Sequence, residues 1–332
     1  MSLLKLTFGC GPSDRVAAIF DGRVRIEGVD LAFFPIGPEE AFHRAFAGQD
    51  FDLTELSASS LILTTARGEA KYFALPIFLS RLFRHSAFYI RTDRGIRSPQ
   101  DLRGKLIGVP EYQMTAALWA RGILSDEYGV KAEEIRWRNG GLNKAGRAER
   151  TPISLPSRFE LQSISSDRTL SDMLAAGELD GIVTARIPGC YVAGAPSVDR
   201  LFPDFRSAEE DYYRKTQVFP IMHLLAIRKS LVAAHPWLAM SVVKAFYEAK
   251  QLAMAEMHEV AVLPVMLPWL SDDLKRAQAV MGADVWRYGV AENRKELDAM
   301  LRYSVEQGLS SRRVELEELF APGTLQRFQG KD

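Results

Sequence analysis

Apolar and polar positions alternate in short blocks along this chain, and the blocks predict a repeating strand–helix order. An apolar strand over 3–8 runs into Gly9-Cys10-Gly11-Pro12, and Ser13-Asp14 then opens a helix that reaches Phe20. A second strand is predicted over 29–34. Pro38-Glu39-Glu40 starts a helix that puts Phe42, Ala45 and Phe46 on one face. A third strand, 51–56, leads directly into Ser57-Ala58-Ser59-Ser60 and another helix. Strands over 73–79 and 86–91 flank Ser80-Arg81-Leu82-Phe83-Arg84-His85.

At Ser98-Pro99-Gln100-Asp101-Leu102 a capped turn begins a second series. It predicts a strand over 105–109, a helix over 115–124, strands over 135–138 and 159–164, and a helix over 169–176. Gly177-Glu178-Leu179-Asp180 then turns into a strand over 181–185. The stretch 139–158 is rich in Gly, Pro, Arg and Ser and reads as an excursion, either a lid or a surface insert. A strongly apolar strand over 220–227 is interrupted only by His223. From His235 onward the pattern is mostly helical, with Leu238, Val242, Ala245, Phe246 and Ala249 at core-facing helical spacing.

This order predicts an α/β protein with helices on the faces of its sheets. A chain of 332 residues exceeds the usual size of one compact core, so two lobes are expected. The second βα series interrupts the first, which predicts a discontinuous first lobe, 1–95 plus 218–332, and an inserted second lobe, 96–217. The C-terminal part is helical, and a ligand cleft is expected between the lobes. No repeat of 20–50 residues is visible.

Composition narrows the partners. The chain is 47% apolar and 25% charged, as ordinary globular proteins are. Lys+Arg and Asp+Glu are both 42, so no basic excess invites a nucleic acid. No apolar run approaches ~18 residues, so no membrane partner is expected. Leu6-Thr7-Phe8-Gly9-Cys10 superficially matches a lipoprotein cleavage site, but no apolar core of signal length precedes Cys10, and the expected location is cytoplasmic. Cys10 and Cys190 are the two cysteines; they fit a reducing compartment and make no metal cluster. Whether the protein forms a homo-oligomer is left open.

The most unusual segment is Gly108-Val109-Pro110-Glu111-Tyr112-Gln113-Met114-Thr115-Ala116-Ala117-Leu118-Trp119. It reads as a strand end, a tight turn and the first turn of a helix. Unpaired N–H groups and the helix dipole make such a start a dock for an anion. The competing reading is a plain βα turn in which Tyr112 and Thr115 fill space.

Several runs then carry a family resemblance. They are Glu39-Glu40-Ala41-Phe42, Phe51-Asp52-Leu53-Thr54-Glu55-Leu56-Ser57, Ser80-Arg81-Leu82-Phe83-Arg84-His85-Ser86, Val109-Pro110-Glu111-Tyr112-Gln113-Met114-Thr115, Arg168-Thr169-Leu170-Ser171-Asp172-Met173-Leu174, Phe219-Pro220-Ile221-Met222-His223 and Leu267-Pro268-Trp269-Leu270. Together they resemble the 4,5-dihydroxyphthalate decarboxylase family over almost the whole chain. The resemblance implies a two-lobed type-2 periplasmic-binding-protein-like fold that acts as an enzyme. It also implies loss of one carboxylate from a hydroxylated aromatic ortho-dicarboxylate, a small aromatic acid, without a cofactor. The expected products are 3,4-dihydroxybenzoate and CO2. Family membership leaves the substrate open, and the alternative is a solute-binding protein for an acidic aromatic ligand.

Such chemistry needs a proton donor and a grip on two carboxylates. His223 and His85 are the candidate acids, since imidazole exchanges a proton near neutrality. Glu55, after the third strand, is a candidate to orient a His or accept a phenolic proton. Each has a bland alternative: a satisfied core His for His223, a surface His for His85, a solvated carboxylate for Glu55. The three match no metal-ligand spacing, and no metal is expected. Arg81, Arg84 and Arg186 are candidates to clamp carboxylates, and Arg15 another. Tyr112, Gln113 and Thr115 are expected substrate contacts at the turn. Ser57 and Ser59 would donate hydroxyls or simply cap a helix. His43, His235 and His258 read as structural.

Overall fold

A computed structural model of the chain describes residues 3–326. Strand β1 (Leu4–Cys10) and helix α1 (Asp14–Phe20) are followed by β2 (Val29–Pro35), α2 (Pro38–Gly48), β3 (Leu53–Ser57) and α3 (Ala58–Ala66). Then come β4 (Tyr72–Ala74), β5 (Ser80–Arg81), β6 (Phe88–Arg91), β7 (Leu106–Val109), α4 (Thr115–Tyr128), β8 (Arg136–Asn139) and β9 (Leu161–Ser163). The chain continues through α5 (Leu170–Ala175), β10 (Gly181–Val183), α6 (Gly189–Val192), β11 (Val198–Arg200), α7 (Phe205–Thr216) and β12 (Ile221–Arg228). The rest is helical: α8 (Lys229–Ala234), α9 (Leu238–His258), α10 (Leu270–Met281), α11 (Arg294–Glu306) and α12 (Leu316–Leu319).

The chain divides into two compact units. The first takes in the described residues up to Arg81, Ile221–Leu297 and those from Val314; the second takes in Leu82–Pro220 and Asp298–Arg313. In the first unit the sheet order is β2-β1-β3-β12-β4, with β5 also on β12. β1 runs parallel to β2 and β3, whereas β12 is antiparallel to β3 and β4. α9 packs on α1, and its stripe Leu238, Val242, Ala245, Phe246 and Ala249 is buried. Phe246 meets Phe8 of β1 at 5.7 Å, and burial of side chains this size contributes about 1.5–3 kcal/mol each. Gly9 is required on β1, because a Cβ there would lie 2.7 Å from the Phe51 ring.

In the second unit the order is β11-β6-β10-β7-β8-β9. β7 is parallel to β8 and β10, and β6 is antiparallel to β10 and β11. Trp119, Trp137 and Tyr112 fill the core beneath α4, and Tyr112 meets Trp137 edge-on at 5.9 Å. Among the described residues no helix is long and apolar enough to cross a membrane.

Two local expectations change. The strand expected over 73–79 stops at Ala74, because Pro76 has no N–H to give and Ile77 N turns back to the Leu75 carbonyl at 2.7 Å. The strand expected over 86–91 begins at Phe88, since His85–Ala87 forms a single 3-10 turn. The hydrophobic pattern does not announce α6, β11 or α7. α7 is nearly all polar and buries only Tyr212 and Tyr213, so it lacks the apolar stripe that announces a helix. Cys190 lies buried in α6.

Candidate functional site

In the first unit the strand order reverses about β1: β2 lies on one side of it and β3 on the other. Ligands of open α/β sheets bind outside the carboxyl ends of the strands at such a reversal. Cys10 ends β1 and Glu55 approaches the end of β3. Since Gly9 pairs with Thr54 in parallel register, Cys10 falls beside Glu55. β12 enters antiparallel, so its first residues arrive at the same edge. Leu225 pairs with Glu55 and His223 with Ser57, which puts His223 diagonally next to Glu55 on one face of the sheet. The side chains close that distance: Glu55 Oε1 lies 2.7 Å from His223 Nδ1.

The other carboxylate oxygen of Glu55 accepts the Gly11 N–H at 3.4 Å and faces the Cys10 thiol at 3.6 Å. Burial alone would raise the Glu55 carboxyl, but the hydrogen bond and charge of His223, then Gly11 and Cys10, outweigh it and hold the group below the ordinary carboxylate range. The Cys10 thiol is pushed well above its usual value, first by burial and then by the Glu55 charge. An ionised carboxylate only accepts, so Nδ1 of His223 carries a proton and donates it to Glu55. Nε2 takes no part in this contact. The His223 side chain keeps 22% of its surface exposed, and Phe42 of α2 stands edge-on to its ring at 4.8 Å.

The other singled-out residues of the first unit have defined places. Ser57 caps α3, accepting the Ser60 N–H at 3.4 Å, and Ser59 is fully buried in the first turn. Arg81 is buried, with Nη1 donating to Asn293 Oδ1 at 2.6 Å and to the Arg287 carbonyl at 2.9 Å. Its Nη2 pairs with Glu296 at 2.9 Å. Arg15 donates to the Leu79 carbonyl at 3.2 Å and lies over the Trp286 ring at 4.2 Å.

In the second unit Tyr112 is fully buried, with its hydroxyl donating to the Gln307 carbonyl at 3.3 Å. Gln113 Nε2 donates to Glu111 at 3.0 Å, and Thr115 opens α4, 2% exposed. His85 is 1% exposed among Phe202, Tyr212 and Tyr128, and burial pushes it down to about 4. Arg84 beside it is buried and pushed down to about 10 by burial, against the charge of Glu209. Arg186 is exposed, and its backbone N–H donates to Thr184 Oγ1 at 3.2 Å. Of the three proposed catalytic side chains, the structure brings Glu55 and His223 together within one unit.

Comparison with known proteins puts the chain in a family. A Comamonas testosteroni protein described as 4,5-dihydroxyphthalate decarboxylase is 45% identical over 329 residues, spanning 99% of this chain and 100% of its own. The chain belongs to the 4,5-dihydroxyphthalate decarboxylase family. A Pseudomonas putida protein of the same description is 45% identical over 214 residues, 64% of this chain and 83% of its own. No family model matches the chain. Among solved structures, the periplasmic aliphatic sulphonate binding protein SsuA from Escherichia coli superposes with a TM-score of 0.53 at 10% identity, over 98% of this chain and 99% of that one. The desulfurization enzyme DSZB superposes at 0.50 with 15% identity over 97% of each chain. The periplasmic-binding-protein-like fold expected from the sequence is the fold of this member of the family.

The arrangement is chemically that of an oriented acid–base: a buried carboxylate that holds one nitrogen of a partly exposed imidazole. Cys10 and Gly11 complete the grip on Glu55 and were not singled out as site residues. Their only signal was position, at the end of the first strand, one strand away from Glu55. Among the described residues no group of three or more His, Cys, Asp or Glu side chains is arranged to hold a metal ion.

Proposed function

We propose that the protein decarboxylates 4,5-dihydroxyphthalate to 3,4-dihydroxybenzoate, with His223 as the proton donor and Glu55 as the residue that orients it. Two things support this: the 45% identity to a protein of that description over nearly the whole chain, and the Glu55–His223 pair at the strand reversal. The substrate ring supplies its own electron sink. A hydroxyl para to the departing carboxylate pushes an electron pair toward the carbon that bears it. His223, as imidazolium, delivers the Nε2 proton to that carbon. The bond to the carboxylate then breaks, its electron pair restores the aromatic ring, and CO2 leaves. One proton from solvent re-protonates His223, so one hydrogen replaces one carboxylate. Glu55 stabilises the imidazolium and keeps Nε2 aimed outward, the service that a carboxylate gives a catalytic His in other acid–base sites.

In this reading Ser57 holds the start of α3, Arg81 holds the fold of the first unit, and His85 and Tyr112 serve the packing of the second. Free thiols at Cys10 and Cys190 agree with a cytoplasmic setting. A solute-binding protein would share the fold, but capture of an anion needs no imidazole braced by a buried carboxylate. The test is His223→Ala. A proton donor of this kind contributes ~10²–10⁴-fold, so kcat should fall by that factor with KM within about threefold. Turnover near the wild-type rate would end the assignment.

A further inference from the structure

One stretch of the first unit is apolar and yet stands in water. It is the arm 260–269, which joins α9 to α10. It holds no charged residue, and every one of its residues is exposed. Val262 is 75% exposed, Trp269 70%, and Met266 entirely so. Burial of such side chains is the main drive of folding, and the arm forgoes it. Scattered apolar residues on a surface need no explanation, but a contiguous patch of this kind marks an interaction site.

The arm is shaped without help from a partner. At its base Glu256 of α9 pairs with Arg23, and Gln278 Nε2 of α10 lies 3.4 Å from His258 Nε2. The Leu267 N–H donates to the Val265 carbonyl at 2.8 Å, and the Asp273 N–H to the Trp269 carbonyl at 2.9 Å. Pro264 and Pro268 fix their own φ. A surface ordered in advance loses little entropy on docking.

The helices on either side are also under-buried. α10 buries only Leu274, and its Val280 and Met281 are half-buried. The buried stripe of α9 ends at Ala253, while Leu252 is exposed and Met254 and Met257 are half-buried. The same hairpin therefore carries projecting side chains, Met266 and Trp269, and a shallow apolar face.

The chemistry around the arm selects what covers it. The charges nearest to it are acidic: Glu256 and Glu259 before it, Asp272 and Asp273 after it. A segment that enters a lipid surface carries Lys and Arg at its flanks, where they meet anionic headgroups; acids are repelled there. The two prolines withhold N–H groups, so the arm is a poor strand for a sheet edge. A charge-free centre with Met and Trp inside a charged rim is the composition of a protein interface. At their observed exposures, the apolar side chains of the arm and Leu252 leave several hundred Å2 in water, comparable with the ~800 Å2 that each partner gives to a standard interface. Knob and receiving face on one hairpin let two copies satisfy each other about a two-fold axis.

We propose that the arm 260–269 is a self-association surface, docking on the α9–α10 hairpin of a second copy of this chain about a two-fold axis. The test is sedimentation velocity of the full chain at about 10 µM, a concentration that fills an interface of micromolar affinity or better. Wild type should sediment as a dimer, or as a larger assembly built from that dimer. Met266→Asp/Trp269→Asp places charges at the centre of the interface, on side chains that the single chain exposes. It should weaken association by at least ~100-fold and halve the sedimenting mass, with far-UV circular dichroism unchanged. Met266→Lys, one change at the most exposed position, should weaken it at least ~10-fold. Val192→Asp, a comparably exposed apolar residue of α6 in the second unit, should leave the assembly intact. A monomeric wild type, an assembly that both arm variants leave whole, or one that Val192→Asp splits equally would overturn the proposal. A monomer that floats with phosphatidylcholine vesicles would give the arm to a lipid surface instead.

Discussion

Replacing Glu55 by Gln tests the heart of the site with almost no change of shape. In the native protein the carboxylate lies 2.7 Å from His223 Nδ1, and its other oxygen takes the Gly11 N–H at 3.4 Å. The variant keeps a polar group in the same place and removes the charge that stabilises an imidazolium. A hydrogen bond between charged partners is worth about 2–3 kcal/mol net, and that stabilisation matters most when His223 carries the proton it is about to give away. Losing it corresponds to a kcat about 30- to 150-fold lower. The amide can also donate to Nδ1, which would leave the imidazole in the wrong tautomer and deepen the loss. KM should stay within about threefold, because Glu55 is argued to act through His223 and not on the substrate. Steady-state release of 3,4-dihydroxybenzoate measures both constants. Thermal melts show whether the variant is folded, with a Tm expected within about 5 °C of wild type. A kcat within threefold of wild type, or a loss confined to KM, would refute the orienting role.

Two further outcomes follow from the charges that the fold buries. His85 is about 4 in the folded protein and 6.5 in the reference state, so folding favours its neutral form. That stabilisation, about 3 kcal/mol, is fully present above pH 6.5 and is lost as the pH falls toward 4; denaturant midpoints from pH 7.5 to 4.5 should show the loss, and His85→Gln should flatten it. An unchanged slope in His85→Gln would assign the acid sensitivity elsewhere. Glu296→Ala removes the carboxylate partner of Arg81, which is buried with it at 2.9 Å. The unbalanced guanidinium should cost about 3–5 kcal/mol and lower Tm by about 10 °C, whereas a Tm within 2 °C of wild type by calorimetry would show that Asn293 and the Arg287 carbonyl hold Arg81 unaided.

Much of the fold was legible because it is written in local chemistry. Strands β1, β2 and β3 and the helices after them announce themselves through short apolar runs closed by Gly-Pro, Pro-Glu or Ser caps. Helix α9 shows its buried stripe in the spacing of Leu238, Val242, Phe246 and Ala249. Helix α7 and edge strand β11 were not legible, since neither needs a continuous apolar face: α7 turns charged residues outward, and β11 exposes Asp199 between two half-buried neighbours. The site was legible as a cast and not as an arrangement. Glu55 and His223 each stood out, one at a strand end and one as the polar break in an apolar strand. Their contact depends on β12 returning beside β3 after 168 residues of intervening register, and no local pattern encodes that.

The central claim is that the protein removes one carboxylate of 4,5-dihydroxyphthalate by placing a proton on the ring carbon that bears it. The most direct measurement is incubation of the purified protein with 4,5-dihydroxyphthalate in D2O, following CO2 and product together. One CO2 and one 3,4-dihydroxybenzoate should appear per substrate consumed, with a single deuterium on the carbon that carried the carboxylate. Saturable binding of the substrate without release of CO2 would contradict the account.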